Sequence, residues 1–294
     1  MDFFLLLLVN GLVVGSIYAL VALGFVLIYK SSDVLNLAQG ELVMLGAYIC
    51  FAFVVQYNIP FFAAFVLTLV FSTILGLSVE RVVLRPLIGQ PIISVIMVTI
   101  GLSSVLRALV QAFWGTDTRP FPTIVSEAPV MLGSIPVSLV YIYSLAVSLV
   151  LLAIFTAFFR YSKTGIAMRA VADDQQAALS MGISVRRIFA MAWIIAAVVS
   201  AIGGIMVGLI NGINISLSYM GLKVLPVAIL GGLDSIPGAV IGGLTIGVLE
   251  NLSGGYIDPI VGGGVKEVAP FVFLVFILMI KPYGLFGKEI IERV

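Results

Sequence analysis

Stretches of about twenty mostly apolar residues recur along the whole chain, and no other feature restricts its fold so strongly. A helix needs roughly 20 such residues to cross the ~30 Å hydrocarbon core of a bilayer. The residues are 62% hydrophobic and 10% charged, whereas about 25% are charged in soluble domains. Short alternating segments, which are typical of membrane barrels, do not dominate. The sequence therefore predicts an all-α polytopic membrane protein and excludes an ordinary soluble domain.

Seven apolar spans stand out. Their predicted bounds are Leu5–Tyr29, Leu37–Val55, Phe61–Val79, Ile92–Trp114, Leu139–Phe159, Ile188–Ile210 and Val268–Ile280. The first has no basic segment before it and is too long for the apolar part of a signal peptide, so we interpret it as a retained helix. A glycine-rich hairpin, residues 222–252, is expected to add a re-entrant or short-helix pair, with halves near Leu222–Leu230 and Ala239–Leu252. We expect about 8–9 membrane-embedded helices in one transmembrane domain, residues 1–294.

Basic residues cluster in alternate connections between the spans. They are Lys30; Arg81 and Arg85; Arg160, Lys163, Arg169, Arg186 and Arg187; and, after the last span, Lys281, Lys288 and Arg293. The alternate connections Gln56–Pro60 and Gly115–Val137 hold one basic residue between them, Arg119. Because basic connections stay on the cytoplasmic side, we expect the N-terminus outside and the C-terminus in the cytoplasm. The glycine-rich hairpin must then cross the membrane an even number of times or not at all.

Several function classes are excluded by residues that the sequence lacks. It has no histidine to relay protons or bind a metal, and its one cysteine, Cys50, cannot form an intramolecular disulfide. The net charge of +1 gives no indication of nucleic-acid binding. The phosphate-binding motif G-x-x-x-x-G-K-[ST] is missing, so the chain cannot hydrolyse ATP through such a loop. No acidic residue stands plainly at the centre of a span, and the energy for concentrative transport is expected from elsewhere. We expect no cofactor and no metal bound to this chain.

Small residues recur at four-residue spacing within the apolar spans. Such faces let two helix backbones approach closely in a membrane, where no hydrophobic effect drives helices together. We expect dense helix packing there, or else a moving or dimerising face. The residues concerned are Gly11 and Gly15; Gly204, Gly208 and Gly212; and Gly238 and Gly242.

The fourth span carries a polar stripe of four side chains, each four residues apart: Thr99, Ser103, Arg107 and Gln111. Residues at this spacing share one slowly drifting face of a helix. Because polar groups facing lipid are costly, the stripe is expected to face protein or water. Arg107 lies toward the outer end, where its side chain could also extend to the interface. Two interpretations stay open: interior packing, or the lining of a solute path.

A second polar group lies at the start of the second span, in NLAQGELVMLGAY. Asn36 followed by Gln39 is typical of a capping box, with Asn36 as the N-cap. Glu41 near a helix N-terminus also suits the helix dipole. Capping at the cytoplasmic end is one interpretation, and a broken helix at a constriction of the solute path is the other. Glu250, near the outer end of the glycine-rich hairpin, is expected at the membrane interface.

One polar stretch interrupts the apolar sequence, VADDQQAALSMGIS at residues 171–184. Asp173 is predicted as the N-cap, with Gln176 as its capping-box partner, and Gly182 as the helix end. The predicted helix, Asp174–Met181, is far shorter than the ~12–15 residues that an isolated helix needs in water. It therefore needs a docking partner, and a solvated helix within a loop is the alternative interpretation. Ala177, Ala178 and Met181 fall on one side and are small enough to enter a groove.

The sequence also resembles a known family. Residues 176–182, QAALSMG, are similar to the E-A-A-x-x-x-G signature of ABC importer permeases, with Gln176 in place of the glutamate and without the usual I-x-L-P ending. NLAQGELVMLGAY (36–48), ADDQQAALSMGIS (172–184) and ILGGLDSIPGAVIGG (229–243) occur together and in order. With the chain length, they resemble the permease of high-affinity branched-chain amino acid ABC transporters. The resemblance extends over nearly the whole chain.

The resemblance implies a mechanism and a set of partners. Such a permease pairs with a second homologous permease, binds two cytoplasmic ATP-binding subunits that use ATP and Mg²⁺, and receives its solute from an extracytoplasmic binding protein. It implies that the coupling loop, residues 160–187, contacts the ATPase through a coupling helix formed by Asp173, Asp174, Gln176, Ala177, Ala178, Met181 and Gly182. It also implies a place in the cell inner membrane. A stand-alone secondary carrier or channel, or a membrane scaffold, are the competing hypotheses.

Overall fold

The structure is a computed structural model that describes residues 2–87, 89–122, 129–132 and 135–287. Two of the basic residues that follow the last predicted span, Lys288 and Arg293, lie outside the described residues. The α-helices of the described part are α1 (Asp2–Ser32), α2 (Gln39–Phe51), α3 (Phe61–Ser78), α4 (Ile92–Trp114), α5 (Leu139–Tyr161), α6 (Lys163–Asp173), α7 (Gln175–Ser180), α8 (Val185–Asn211), α9 (Met220–Gly231), α10 (Ile236–Tyr256), α11 (Asp258–Val261) and α12 (Val265–Ile280). A short antiparallel hairpin, β1 (Pro129–Leu132) and β2 (Ile135–Ser138), precedes α5.

Within the described residues, seven helical segments are long and apolar enough to cross a membrane. They are Asp2–Ser32, Gln39–Gln56, Phe61–Leu87, Ile92–Trp114, Leu139–Tyr161, Val185–Asn211 and Ile236–Tyr256. The second and third include π-helical turns, Ala52–Gln56 and Val79–Leu84, that extend α2 and α3. The predicted all-α polytopic class is therefore confirmed.

The glycine-rich hairpin differs in detail from the prediction. Its second half, α10, has 21 residues and is long enough to span, where a short helix was expected. Its first half is short: α9 has 12 residues and is preceded by a 3₁₀ turn, Ile215–Tyr219. The last predicted span corresponds to α12, whose 16 residues fall short of a full crossing at about 1.5 Å per residue. Pro226 and Pro270 lie inside α9 and α12, where each removes a backbone hydrogen bond.

Helix α1 forms the centre of the bundle. Of the 18 consecutive residues of α1 that are most apolar, 89% are buried, whereas only 17% are buried in the corresponding part of α4. A helix that is apolar on all sides is typical of such a central position. α3, α4 and α5 lie at the periphery and expose large apolar side chains, which suits contact with membrane lipid.

A close helix contact joins α1 to α10 through glycines. A Cβ built on Gly11 would lie 2.7 Å from the Val248 Cα, and one built on Gly15 would lie 2.7 Å from the Gly243 carbonyl oxygen. Because real Cβ atoms do not approach so closely, only glycine permits this separation of the two backbones. The four-residue spacing of small residues thus coincides with a helix–helix contact at these positions.

The other predicted packing glycines divide into two groups. Cβ atoms on Gly204, Gly238 and Gly242 would overlap the backbone of a neighbouring helix. A Cβ on Gly208, in contrast, would lie 3.4 Å or more from its nearest neighbours, which is an ordinary contact distance, so packing does not require glycine there. Gly212 lies beyond the end of α8 with a φ of 77°, so it serves a turn rather than a helix face.

One end of the bundle, which we call the basic end, is identified by contacts between the helix termini. Lys30 at the end of α1 donates a 3.0 Å hydrogen bond to the Asp234 carbonyl oxygen in the α9–α10 turn. The segment after α12 returns to the same turn, where the Leu285 N–H donates to the Leu230 carbonyl oxygen. A small cavity lined by Lys30, Phe159 and Arg169 joins α5 and α6 to this end. The end of α1, the α5–α6 connection and the segment after α12 thus meet at one end of the bundle, while the orientation of that end in the membrane stays a prediction.

Candidate functional site

Helix α7 is capped at its N-terminus by an aspartate. The Asp174 Oδ1 accepts hydrogen bonds from the N–H groups of Gln176 and Ala177, at 2.8 and 2.9 Å. The predicted N-cap, Asp173, was wrong by one residue: it is the last residue of α6. Gln176 is consequently the second residue of α7, and the predicted capping box does not form. The helix covers Gln175–Ser180, six residues.

The C-terminus of α7 is closed by a glycine in the left-handed conformation. Gly182 has a φ of 81°. Its N–H donates to the Leu179 carbonyl oxygen, and the Ile183 N–H donates to the Ala178 carbonyl oxygen, both at 3.0 Å. This pair of bonds is the Schellman motif, which satisfies the last carbonyl groups of a helix. Gly182 therefore ends the helix, as the sequence predicts.

The two sides of α7 have different surroundings. Ala178 is buried and packs into the main hydrophobic core of the bundle. Leu179 and Met181 are 58% and 82% exposed, and Ala177 is exposed beside them. The prediction that Ala177, Ala178 and Met181 share one docking side was therefore wrong for Ala178, since that side chain holds α7 onto its own subunit.

Helix α6 connects α7 to the membrane helices. Its N-cap is Ser162, whose Oγ accepts a 2.9 Å hydrogen bond from the Gly165 N–H. Met168 and Val171 point into the same core that receives Ala178. A Cβ on Gly165 would lie 2.7 Å from the Phe159 Cα, so α6 rests closely against the end of α5. α6 and α7 thus form a short helical bracket between α5 and α8 at the basic end.

The start of α2 lies inside the bundle, not at its end. The Gln39 Nε2 donates a 2.7 Å hydrogen bond to the Ser200 Oγ, in the middle of α8. The Asn36 Nδ2 donates to the Gln39 Oε1 at 2.9 Å, and both side chains are buried. Since Ser200 is 15 residues along α8, the start of α2 lies about 22 Å from the beginning of that helix. The predicted position at the cytoplasmic end was wrong: after α1, a non-helical segment turns back into the bundle.

Asn36 is also not the N-cap of α2. That position is taken by Ala38, which has no side-chain cap, while the Asn36 Oδ1 accepts a hydrogen bond from the Ala38 N–H at 3.1 Å. Asn36 and Gln39 do interact, but through their side chains rather than through a capping box. The hydrogen-bonded set of Asn36, Gln39 and Ser200 satisfies these polar groups inside an apolar bundle.

Glu41 and Arg107 form an ion pair between α2 and α4. The Arg107 Nη2 lies 2.7 Å from the Glu41 Oε1, and the two side chains are 35% and 3% exposed. The Arg107 guanidinium also lies over the Tyr219 ring, 5.7 Å from its centre. Two side chains that the sequence suggested separately thus meet. The Arg107 side chain therefore does not extend to the membrane interface, as one interpretation of the sequence allowed, but pairs with Glu41.

The rest of the α4 stripe does not face one common space. Thr99 is buried and donates to the Ile96 carbonyl oxygen at 2.9 Å, a hydrogen bond within its own helix. Ser103 is half-buried, and Gln111 is exposed. The stripe therefore runs from the interior to the exposed edge of the subunit. Along this edge, the Arg107 Nε, the Tyr48 hydroxyl and the Trp114 Nε1 are buried without a hydrogen-bond partner in the described structure.

Two further buried carboxylates were missed or misplaced by the sequence analysis. Glu80 accepts from the Arg85 Nε and Nη2 at 3.1 and 2.8 Å. Glu250 was expected at the interface but is buried between α1 and α9, where Tyr18 and Lys223 donate to it. Lys223 is the only cation in the otherwise apolar stretch 215–231, a signal that could have indicated a buried partner.

No cluster of three or more metal-ligating side chains occurs among the residues that the structure describes. The buried carboxylates Glu41, Glu80 and Glu250 each face a lysine or arginine instead. A carboxylate that is neutralised in this way has one of its oxygens already occupied.

Known proteins resemble the chain over almost its full length. The profile of the family described as "Branched-chain amino acid transport system / permease component" matches residues 7–281. The high-affinity branched-chain amino acid transport system permease protein LivH of Escherichia coli K12 is 32% identical over 99% of this chain and 98% of its own. Permease protein BraD of Pseudomonas aeruginosa is 32% identical over 98% and 97%. A probable LivH of Methanocaldococcus jannaschii is 25% identical over 97% and 93%.

A solved structure shares the fold. A chain of "PsaBC from Streptococcus pneumoniae in complex with Fab" aligns with a TM-score of 0.53 over 96% of this chain and 93% of its own, at 14% sequence identity. The similarity therefore concerns the arrangement of helices. The family profile and the 32% identical relatives, in contrast, cover residues 160–187 and both polar groups of the membrane helices. This multi-pass membrane protein belongs to the family of branched-chain amino acid transport system permease components.

Proposed function

We propose that this chain is the permease subunit of an ATP-driven ABC importer for branched-chain amino acids or related small solutes. The full-length similarity to permeases of high-affinity branched-chain amino acid transport supports the class of solute. The relatives are named as permease proteins, which agrees with a chain that does not itself perform catalysis. Two cytoplasmic ATP-binding subunits supply the energy and use ATP and Mg²⁺.

The observation that carries the proposal is the exposed apolar surface of α7. Leu179 and Met181 protrude from a six-residue helix that is capped at both ends and fixed by Ala178. A helix of six residues is too short to be stable on its own in water, and its two exposed apolar side chains are available for contact with a partner. We assign α7 together with its flanking caps, residues Asp174–Gly182, as the coupling helix that enters a groove of the ATP-binding subunit.

The bracket of α6 and α7 supplies the mechanical link. α7 is attached through α6 to the end of α5, and it leads directly into α8. A displacement of α7 by the ATP-binding subunits is therefore transmitted to two long membrane helices as a rigid-body movement. Alternating access in transporters uses movements of this kind.

The solute path lies at the α4 edge of the subunit in this proposal. Two polar residues lie on α4, which is otherwise only slightly buried: Arg107, which pairs with Glu41 of α2, and the exposed Gln111. A second homologous permease that covers this edge encloses the path between the two subunits. The extracytoplasmic binding protein delivers solute at the end opposite the basic end, in the cell inner membrane.

Site-directed cross-linking tests the assignment of α7. In the assembled transporter, a Met181→Cys variant carrying a photoreactive maleimide should form a covalent product with the ATP-binding subunit. The native Cys50 is buried and does not compete for the reagent. A matched control is Tyr57→Cys, which is 69% exposed in the connection that is predicted to lie on the outer side. Cross-linking from residue 57, or none from residue 181 in a transporter that still binds its ATPase, would refute the assignment. Uptake that proceeds without ATP would instead favour a stand-alone carrier.

A further inference from the structure

A buried charge cluster in the membrane helices plays no part in the proposed coupling. The Glu250 Oε1 lies 2.6 Å from the Lys223 Nζ, and its Oε2 accepts a 2.7 Å hydrogen bond from the Tyr18 hydroxyl. Tyr18 is 12 residues, or about 18 Å along α1, from Lys30 at the basic end. The cluster is therefore deep in the bundle, where a charged group is costly and ordinarily has a function.

The cluster borders a cavity of about 290 Å³, which we call the Lys223 cavity. It lies between α1, the end of α8, the 3₁₀ turn before α9, and α12. Tyr18 and Lys223 contribute to its lining together with apolar side chains such as Ile17, Ile210 and Met220. Its polar lining includes Asn211, Asn214 and Glu267. Small-molecule sites begin at roughly 300 Å³, so the cavity suits a solute at the lower end of that range.

Lys223 has hydrogen-bonding capacity to spare. An ammonium group offers three hydrogen-bond donors, and the Lys223 ammonium group donates to Glu250. The side chain is 23% exposed, whereas that of Glu250 is 2% exposed. The remaining donors are thus available on the cavity side. Because Glu250 is held by Tyr18 as well, it fixes the position of the ammonium group, and we regard Glu250 and Tyr18 as positioning residues.

Glu267 supplies the opposite charge on the same cavity. It lies in the first turn of α12, is exposed, and has no ion pair within the described part of the chain. The cavity therefore presents a cation with free donors, a carboxylate with free acceptors, and an apolar wall. These three features match the α-carboxylate, the α-ammonium group and the aliphatic side chain of one amino acid.

We propose that the Lys223 cavity is a binding site for an aliphatic α-amino acid in its zwitterionic form. Lys223 binds the carboxylate, Glu267 binds the ammonium group, and Ile17, Ile210 and Met220 contact the side chain. The proposal rests on the proposed function, because it places the imported solute at a particular site. Tyr219 connects that site with the α4 edge, since it lines the cavity and the centre of its ring lies 5.7 Å from the Arg107 guanidinium. It further implies that the permease itself recognises both charged groups of the solute, in addition to any selection by a binding protein.

Photolabelling with a diazirine analogue of leucine tests the site on the assembled transporter without its binding protein. Mass spectrometry should find the label on residues of the cavity wall, and excess leucine should suppress it. 3-Methylbutylamine and 4-methylpentanoate, which each carry one of the two charges, should compete far more weakly. Label elsewhere, or equal protection by the amine alone, would overturn the proposal.

Variants separate charge recognition from folding. Lys223→Met alone leaves Glu250 buried without its cation, so the double variant Lys223→Met/Glu250→Gln is the informative one. It should weaken labelling by about 10- to 100-fold, the range for loss of a hydrogen bond to a charged group. Glu267→Gln should weaken it as well. Lys266→Met is the matched control, since Lys266 is exposed and does not line the cavity.

The two proposals fail in different ways. If the wild-type transporter imports leucine with ATP but the double variant and Glu267→Gln are labelled as strongly as wild type, the Lys223 cavity is not the site and the importer function stands. If no ATP-dependent import occurs, the proposed function fails irrespective of where the label is found.

Discussion

Removing the caps of α7 should uncouple the transporter without unfolding it. Asp174→Ala deletes the side chain that accepts both N-terminal hydrogen bonds, at 2.8 and 2.9 Å, and loss of such a cap costs about 1 kcal/mol. Gly182→Ala places a Cβ on a residue with a φ of 81°, which costs about 1–2 kcal/mol. Since each kcal/mol changes a population by about fivefold, either variant should noticeably deplete the helical form of a six-residue helix.

The assay combines ATP-dependent uptake in proteoliposomes with hydrogen exchange of the α7 amides. Asp174→Ala should lower uptake by about fivefold, a loss that corresponds to about 1 kcal/mol, and should speed exchange at residues 176 and 177. The control is Asp174→Asn, which keeps an oxygen acceptor and ranks equally as an N-cap. It should transport nearly as well as wild type. Both proteins should insert into the membrane and assemble in equal amounts.

One result would refute this reasoning. If Asp174→Ala and Gly182→Ala exchanged their α7 amides rapidly and yet took up solute at the wild-type rate, the ordered helix would not be needed for coupling. The link between ATP hydrolysis and transport would then lie in another connection.

Three further predictions concern packing, the α2–α4 ion pair and a carboxyl at the basic end. Gly15→Ala should lower the melting temperature in detergent, because its Cβ would lie 2.7 Å from a carbonyl oxygen of α10, whereas Gly101→Ala has open space and should leave the melting temperature unchanged. Arg107→Ala should destabilise the protein more than Arg107→Met/Glu41→Gln in the same assay, since the single change leaves a buried carboxylate unpaired; equal melting temperatures would contradict this. Burial, and then the nearby Asp234, raise the pKa of Asp33. The wild type therefore loses stability as the pH rises from the ordinary pKa of an aspartate to the raised pKa of Asp33, because the unfolded chain gives up this proton more readily than the folded protein does. Asp33→Asn, which has no proton to lose, should be the more stable protein at about pH 8 but not at about pH 4.

The class of fold follows from the sequence because lipid leaves few alternatives. An apolar run of sufficient length in a membrane must satisfy its own backbone, which makes it a helix. Six of the seven predicted spans accordingly match helices that are long enough to cross. Close packing at Gly11 and Gly15 was predicted in the same way, since small residues at four-residue spacing allow one backbone to approach another, but the partner helix α10 was not.

The depth of α2 could not be predicted from local pattern. The sequence between α1 and α2 carries Asp33 and Asn36, and a connection with such residues is ordinarily expected outside the hydrocarbon core. The segment enters the bundle because Asn36 and Gln39 find buried partners, including Ser200, which is 161 residues further along the chain. A tertiary contact of this kind leaves no trace in the spacing of neighbouring residues.

The same limit explains the buried carboxylates. Glu41 and Glu250 looked like helix-end and interface residues, because their cations are distant in sequence: Arg107 on α4 and Lys223 on α9. The caps of α7, in contrast, are local, so the helix end at Gly182 was correct and the N-cap was wrong by only one residue. Which side of α7 faces its own subunit depended again on tertiary packing, through Ala178.

The central claim is that this chain moves its solute only as part of an ATP-driven assembly. The direct measurement is uptake of radiolabelled leucine into proteoliposomes that contain this chain, its second permease and its two ATP-binding subunits, with the binding protein on the outside. The account predicts accumulation that requires both enclosed ATP and the binding protein and that is lost when the ATP-binding subunits are omitted. Accumulation by this chain alone, without ATP, would contradict it.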